Sequence, residues 1–202
     1  MIICCPLVLM AQFGLKAGVN FANVTKVSDI NNTGQTGFVG GVYLAPPSKS
    51  ILSSRTELLF SRQGYNYSTN TNTGTVNLNY IILPQLMGIN ITKLIQFQIG
   101  FQMAYLLNAS VDSSGTASSN NPYSKIMDYY NRFDYGAAGG VEVHPFKGLL
   151  VGARINISFG SMYNDMESIP PGEVPPFIPT ANVKNNVVQL YTGWTFGSST
   201  KK

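Results

Sequence analysis

The chain has 202 residues, which suits one domain, and only 11% of them are charged, whereas an ordinary soluble domain has about 25%. This low charge indicates that much of the outer surface does not face water, yet no apolar run reaches the ~18 residues of a membrane-spanning helix. The net charge of +4 comes from scattered basic residues, which argues against binding to nucleic acid.

The N-terminal segment 1–11 has the character of the apolar core of a secretory signal. We interpret it as a signal-peptide remnant and expect residues 12–202 to form the mature barrel, which begins near Gln12. Cys4 and Cys5 are the two cysteines of the chain, and neither a Cys-x-x-Cys motif nor a histidine accompanies them. The sequence therefore predicts no metal site, no cofactor and no disulfide in the mature protein.

The rest of the chain contains stretches in which apolar and polar residues alternate with period two. Each stretch is about as long as the ~9–11 residues that cross a bilayer as a tilted strand. The clearest stretch, 95–107, has large aliphatic and aromatic residues on one face and glutamines and small residues on the other. The eight stretches, in chain order, are 13–22, 37–45, 53–63, 75–88, 95–107, 133–143, 149–159 and 186–196. In the noisier fourth stretch the apolar face consists of Val76, Leu78, Tyr80, Ile82 and Leu86.

The apolar faces of these stretches are predicted to point outward, into lipid. The opposite faces carry charges of both signs among many glycines, which suits the narrow lumen of an eight-stranded barrel. Aromatic residues near the strand ends are expected to form interfacial girdles, and they are Phe97, Tyr80, Phe133, Phe159, Trp194 and Phe196. The residues that we expect in particular to face lipid are Ile95, Phe97, Ile99, Phe101 and Val188.

The connections between the stretches alternate between long and short. Long, polar links occupy 23–36, 64–75, 108–132 and 160–185, and short links occupy 45–51, 89–94 and 144–148. Outer-membrane barrels have this pattern, with short periplasmic turns and longer external loops. The sequence therefore predicts an all-β fold, an eight-stranded antiparallel transmembrane β-barrel in the bacterial outer membrane.

The charged residues of the polar faces form the candidate site, and they are Lys16, Arg55, Glu57, Asp134, Glu142 and Arg154. Paired carboxylates can act as acid and base, but a lumen also needs charge pairs because an unpaired buried charge is costly. We therefore interpret these residues as a structural charge network. Asp134 is the expected partner of Arg154, and Glu142 and Glu57 are the alternatives. The single histidine, His144, lies in a short turn without a nucleophile near it in sequence, so we predict no catalytic residue.

Two long external links carry residues that could contact a partner. Apolar and aromatic residues follow a Ser/Asn-rich stretch in 108–132, and a proline-rich segment in 160–185 could bind a partner or could equally stiffen the loop. The candidate partner-binding residues are Tyr123, Met127, Tyr129, Tyr130, Pro175 and Phe177.

Seven stretches of the chain share their order and spacing with a known family. They are GLKAGVNFANV at 14–24, GFVGGVY at 37–43, RTELLFSRQG at 55–64, VNLNYIILP at 76–84, DYGAAGGVEV at 134–143, VGARINIS at 151–158 and NNVVQLYTGWTF at 185–196. On these stretches, which touch every predicted strand except the fifth, the chain resembles the PorT-type outer-membrane β-barrel proteins of Bacteroidetes. The resemblance implies an outer-membrane location and an eight-stranded barrel, but no particular biochemical role.

The sequence favours a non-enzymatic outer-membrane barrel with a structural, adhesive or accessory role in the cell envelope. An open pore is not expected, because side chains fill the interior of an eight-stranded barrel. The expected partners are outer-membrane lipid and, through the external loops, another envelope protein. Two alternatives stay open: a lipid-modifying enzyme or protease on the same scaffold, and a soluble lipocalin-like barrel whose apolar face surrounds a ligand.

Overall fold

The computed structural model describes residues 12–24, 31–46, 50–68, 73–113, 126–164 and 184–196. Eight antiparallel strands close into a barrel in which each strand pairs with its neighbours in the chain and β8 pairs with β1. The strands are β1 Gln12–Val24, β2 Asn31–Ala45, β3 Leu52–Ser68, β4 Thr73–Asn90, β5 Ile95–Ser113, β6 Phe133–Phe146, β7 Leu149–Ser158 and β8 Asn185–Thr195. A four-residue helix, α1 Ile126–Tyr129, precedes β6. The predicted eight-stranded barrel is confirmed.

The two ends of the barrel connect the strands differently. At the turn end, residues 46–51, 91–94 and 147–148 join β2 to β3, β4 to β5 and β6 to β7. The opposite end, where β1 leads to β2, β3 to β4, β5 to β6 and β7 to β8, is the loop end. Three strands reach further toward the loop end than the alternation predicts, because β2 begins at Asn31, β3 continues to Ser68 and β5 to Ser113. These extensions are rich in Ser, Asn and Thr, so their composition predicted loops although they are paired strands.

The outer surface of the barrel carries an apolar belt. The residues expected to face lipid are exposed on it, at 38% for Ile95, 50% for Phe97, 56% for Ile99, 57% for Phe101 and 42% for Val188. Meanwhile Lys16, Glu57 and Arg154 are buried inside. A soluble barrel would bury its apolar faces and expose its charges, so the arrangement argues against the lipocalin-like alternative. Among the described residues, no helix is long and apolar enough to cross a membrane.

Strand β4 departs from the predicted orientation. Its apolar face points into the lumen, where Val76, Leu78, Tyr80, Ile82 and Leu86 are all buried. Tyr80 therefore does not belong to an outer girdle, and that prediction is wrong. The reason is that β4 is largely apolar on both sides, with Ile81, Leu83, Met87 and Ile89 at the alternate positions. Polarity cannot distinguish the two faces of such a strand.

The lumen has two layers. Charged and amide side chains fill the half near the turn end, where Arg55 follows the start of β3 and Glu142 precedes the end of β6. Toward the loop end an apolar core lies beside the buried amides of Asn20, Gln63 and Asn77. This core contains Val39, Leu59, Tyr65, Val76, Leu78, Tyr80, Ile82, Ala104, Leu106, Ala109, Tyr130, Met162 and Tyr163. The candidate site residues of the sequence are therefore divided between a charged layer and the edge of an apolar one.

Candidate functional site

Glu57 is the centre of a group of charges in the lumen. It points inward from β3 and is fully buried. Arg154 on β7 donates to both of its oxygens, with Nη1 2.7 Å from Oε2 and Nη2 2.9 Å from Oε1. Lys16 on β1 places its Nζ 3.1 Å from Oε2. Coulomb attraction and charge-assisted hydrogen bonds from two cations therefore stabilise the Glu57 carboxylate.

Glu142 on β6 is a second buried carboxylate beside the first. Arg55 Nη1 lies 2.6 Å from Glu142 Oε1 and 3.8 Å from Glu57 Oε1, so Arg55 links the two carboxylates. The Tyr191 hydroxyl donates to Glu142 Oε1 at 3.0 Å. His144 Nε2 lies 3.6 Å from Glu142 Oε2, beyond the distance of a hydrogen bond. The lumen charge cluster, as we name it, consists of Lys16, Arg55, Glu57, Glu142 and Arg154.

Two tyrosine rings lie against the cations of the lumen charge cluster. Lys16 Nζ lies 3.4 Å from the centre of the Tyr191 ring, and the Arg55 guanidinium carbon lies 4.8 Å from the centre of the Tyr43 ring. Tyr43 is paired with Gly14 across β1 and β2, and a β-carbon at Gly14 would come within 2.1 Å of the ring. Glycine at this position therefore allows the ring to lie close against the barrel wall.

The lumen charge cluster joins four strands, because its members come from β1, β3, β6 and β7. It contains three cations and two carboxylates, and each carboxylate engages at least one cation within 3.1 Å. Neither carboxylate is therefore a free acid or base, although Glu142 Oε2 and Arg154 Nε find no hydrogen-bond partner among the described residues. In the same part of the chain, no group of three His, Cys, Asp or Glu side chains could hold a metal ion.

Asp134 lies outside this cluster, so the predicted pairing of Arg154 with Asp134 is wrong. The β6–β7 register places Arg154 opposite Gly140, six residues nearer the turn end than Asp134. Asp134 instead accepts hydrogen bonds from the Ser158 hydroxyl at 2.5 Å and the Tyr135 amide at 2.8 Å. The β6–β7 turn has only two residues, 147 and 148, whereas the predicted register was counted from a longer turn at 144–148. The expected partner of Arg154 was therefore placed too far from the turn. Glu57, the alternative across the lumen, is the acid that Arg154 contacts.

Three tyrosine hydroxyls meet near the loop end. Tyr65 on β3 has its hydroxyl oxygen 2.9 Å from that of Tyr130 and 2.8 Å from that of Tyr163. The rings of Tyr130 and Tyr163 lie 5.0 Å apart, and the two residues form an isolated antiparallel bridge. This outer tyrosine cluster thus ties the segments that precede β6 and follow β7 to the inside of β3.

The outer tyrosine cluster changes the interpretation of the candidate partner-binding residues. Tyr130 is buried, so it is not the exposed contact that the sequence predicted. Met127 and Tyr129 are partly buried and pack against the apolar core, and Met127 Sδ accepts a hydrogen bond from the Ala109 amide at 3.0 Å. The remaining candidates, Tyr123, Pro175 and Phe177, lie outside the described residues.

Burial also changes the acidity of two of these phenols. The pKa of Tyr130 lies well above its ordinary value, first because burial disfavours the phenolate and then because Tyr65 and Tyr163 are beside it. The pKa of Tyr163 is raised in the same direction, by burial and then by Tyr65. Both groups therefore stay neutral, and both can donate and accept hydrogen bonds within the cluster.

Several residues of the lumen were not singled out from the sequence. Gln98 accepts from Arg154 Nη2 at 2.8 Å, Tyr191 contacts Lys16 and Glu142, and Tyr65 centres the outer tyrosine cluster. Gln98 and Tyr191 lie on the polar faces of their strands, which is a signal that could have included them. Tyr65 lies in a segment that was predicted to be a loop, so no such signal pointed to it.

Comparisons with known proteins agree with this architecture. The family model described as an outer membrane protein beta-barrel domain matches residues 7–164. No curated protein matches the chain. Among solved structures, Neisserial surface protein A covers 91% of this chain and 97% of its own, at 14% identity and a TM-score of 0.57. Ail, the attachment invasion locus protein of Yersinia pestis, covers 92% of this chain and 99% of its own, at 9% identity and a TM-score of 0.50.

The likenesses to these solved structures show the fold, and the family model shows the family. The model matches more than half of the chain, and the closed barrel with its apolar outer belt is the structure that the family description implies. The chain therefore belongs to the family of outer membrane protein β-barrel domains, and it is a protein of the bacterial outer membrane.

Proposed function

We propose that this protein is a closed, non-enzymatic outer-membrane barrel that serves the envelope as a scaffold and presents its external segments to another envelope protein. The observation that carries the proposal is the filled lumen. The lumen charge cluster occupies the half near the turn end, and the apolar core with the outer tyrosine cluster occupies the half near the loop end. Side chains that occupy both halves oppose the passage of solutes.

The role that we propose for the lumen charge cluster is structural. Glu57 and Glu142 are engaged by Arg154, Lys16 and Arg55, and ion pairs of this kind hold strands together when every buried charge has a partner. A catalytic role would need a reacting group beside a free acid or base. His144 lies at the turn end, and its Nε2 faces Glu142, which supports a place at the rim of the network.

The adhesive or accessory part of the proposal concerns the loop end. Rigid scaffolds commonly carry recognition in the segments that connect their strands. Ail is by its name a protein of attachment and invasion, and it shares this fold at a low level of identity. Attachment is therefore one role that we propose for the loop end, with a protein of the envelope or of a host surface as the partner.

Two finer assignments belong to the same proposal. The first is that the chain is of the PorT type within its family, which the stretches 55–64 and 134–143 support by resemblance. The second is that residues 1–11 are removed from the mature protein, because they have the character of a signal segment. Mass spectrometry of protein isolated from outer membranes would detect an N-terminus near Gln12. An intact Met1 or an acyl mass on Cys4 or Cys5 would contradict the second assignment.

Conductance across a planar lipid bilayer tests whether the lumen is closed. We expect purified full-length protein to give no steady single-channel current, whereas an open barrel of a general porin in the same bilayer conducts. A long-lived open state of the unaltered protein would contradict the proposal.

Co-purification from native membranes tests the scaffold role. We expect an envelope protein to co-purify with the unaltered barrel, and we expect it to be lost when residues 165–183 are replaced by a short glycine-serine linker.

A further inference from the structure

One polar pair interrupts the apolar belt of the barrel. Thr56 on β3 and Gln85 on β4 are directly opposite each other and both point outward. The Thr56 hydroxyl donates to Gln85 Oε1 at 2.8 Å. Ser54, the preceding outward residue of β3, is exposed beside them. The β3–β4 polar stripe, as we name it, consists of Ser54, Thr56 and Gln85.

The depth of this stripe makes it unusual. Gln85 pairs with Phe101 on β5, and outward apolar residues flank it along β4 on both sides, from Ile81 to Ile89. The other outward amide and charged side chains of the described strands, such as Arg62, Asn79 and Asn186, lie toward the loop end. Thr192 on β8 is also outward, but its hydroxyl donates to the Leu150 carbonyl. Gln85 thus lies in the interior of the apolar belt and not at its edge.

The Gln85 amide has unused hydrogen-bonding capacity at this depth. Its oxygen accepts from Thr56, and none of the described residues accepts a hydrogen bond from its Nε2. Lipid offers no partner, so an unpaired N–H is costly there. A protein surface that supplied an acceptor would remove this cost.

The barrel wall has a second irregularity at the same place. Paired positions of β3 and β4 extend to Thr56 opposite Gln85 and resume only at Leu59 opposite Ile82. Pro84 lies in this gap, and proline has no N–H to contribute to a ladder. The ladder between β3 and β4 therefore lacks two paired positions directly beside the β3–β4 polar stripe.

We propose that the β3–β4 polar stripe is the contact through which two copies of this chain associate within the membrane. Both copies insert in the same direction, so a two-fold axis along the membrane normal brings residues of equal depth together. Gln85 then meets Gln85 of the second copy. An amide is both donor and acceptor, so it complements itself, and the stripe carries no charge that would repel its own copy.

Disulfide formation between engineered cysteines tests this contact in vesicles of phosphatidylcholine. The full chain with Cys4→Ser and Cys5→Ser is the background, and Gln85→Cys is compared with Leu190→Cys. Leu190 on β8 is an outward belt residue on the opposite side of the barrel and is 47% exposed. We expect oxidation to link the Gln85→Cys protein into dimers and the Leu190→Cys protein much less. Equal dimer yields from the two variants would overturn the proposal.

A second measurement separates the contact from folding. Gln85→Leu removes the amide and keeps the belt apolar, so we expect it to fold, as judged by the heat-dependent shift of the barrel on gels. Its dimerisation constant, from energy transfer between labelled copies diluted in vesicles, should be weaker by about three- to tenfold. Leu190→Ala should leave that constant unchanged. An unchanged constant for Gln85→Leu, or a Gln85→Cys protein that links only to a different protein in native membranes, would overturn a second copy as the partner.

Discussion

Arg154 and Glu57 form a bidentate ion pair across the lumen, with N–O distances of 2.7 and 2.9 Å. The pair joins β7 and β3, which lie on opposite sides of the barrel. Removal of Arg154 leaves Glu57 with Lys16 as its nearest cation. Breaking a buried pair in this way should lower the free energy of unfolding by about 3 kcal/mol. We expect Arg154→Ala combined with Glu57→Gln to cost less than the sum of the two single changes, because no carboxylate is then left without its partner.

Urea unfolding in lipid vesicles measures this coupling. Asp134→Asn is the matched control. Asp134 lies on β6, which pairs with the strand of Arg154, and its carboxylate contacts Ser158 and not Arg154. Its effect should add to that of Arg154→Ala within experimental error. Coupling of Arg154 to Asp134 but not to Glu57 would contradict the structure.

The apolar belt should tolerate a charge at its edge but not in its interior. Ile99 is an outward residue of β5 and is 56% exposed, whereas Ile91 lies in the turn between β4 and β5. Arginine at a lipid-facing position near the midplane costs about 2–4 kcal/mol, and near an interface about 0–1 kcal/mol. We therefore expect Ile99→Arg to lower the free energy of unfolding in vesicles much more than Ile91→Arg. Equal effects would mean that β5 does not face lipid at Ile99.

The outer tyrosine cluster should stabilise the segments at the loop end. Tyr65→Phe removes the one hydroxyl that contacts both Tyr130 and Tyr163, and it leaves their phenols without that partner. Loss of a partner for a buried polar group costs about 1–3 kcal/mol. We expect faster cleavage of the external segments by protease added outside vesicles, with the barrel itself intact. Tyr105→Phe, on the lipid-facing side of β5, is the control that should leave the cleavage rate unchanged.

Alkaline pH should weaken the same region. The pKa values of Tyr130 and Tyr163 are raised in the folded protein, chiefly by burial, so the folded state holds their protons more tightly than the unfolded state does. This contribution to stability is complete below the ordinary tyrosine pKa of about 10 and is lost as the pH rises above it. Unfolding in urea at rising alkaline pH measures the loss. The double change Tyr130→Phe and Tyr163→Phe should make the decline shallower, and an unaltered decline would show that other groups cause it.

The architecture of the barrel could be predicted from sequence alone because its cause is local. A strand in a membrane barrel must present one face to lipid and the other to the lumen, so Ile95, Phe97, Ile99 and Phe101 alternate with polar residues wherever the two environments differ in polarity. The same rule failed for β4, where Val76 and Leu78 are apolar but line the lumen. It also failed at the ends of β3 and β5, where the outward residues, such as Asn66 and Ser110, are polar although the strands are paired.

The partners within the lumen were decided by tertiary structure. Alternation identifies Arg154, Glu57 and Lys16 as inward residues, but it contains no information on which inward residues meet. That depends on the register of each hairpin and on the curvature that brings β3 opposite β7. A change of a few residues in the register of β6 against β7 moves an acid by about 3.3 Å for each residue, enough to exchange Asp134 for another partner. The closure of the barrel, and not the sequence around Arg154, therefore selected Glu57.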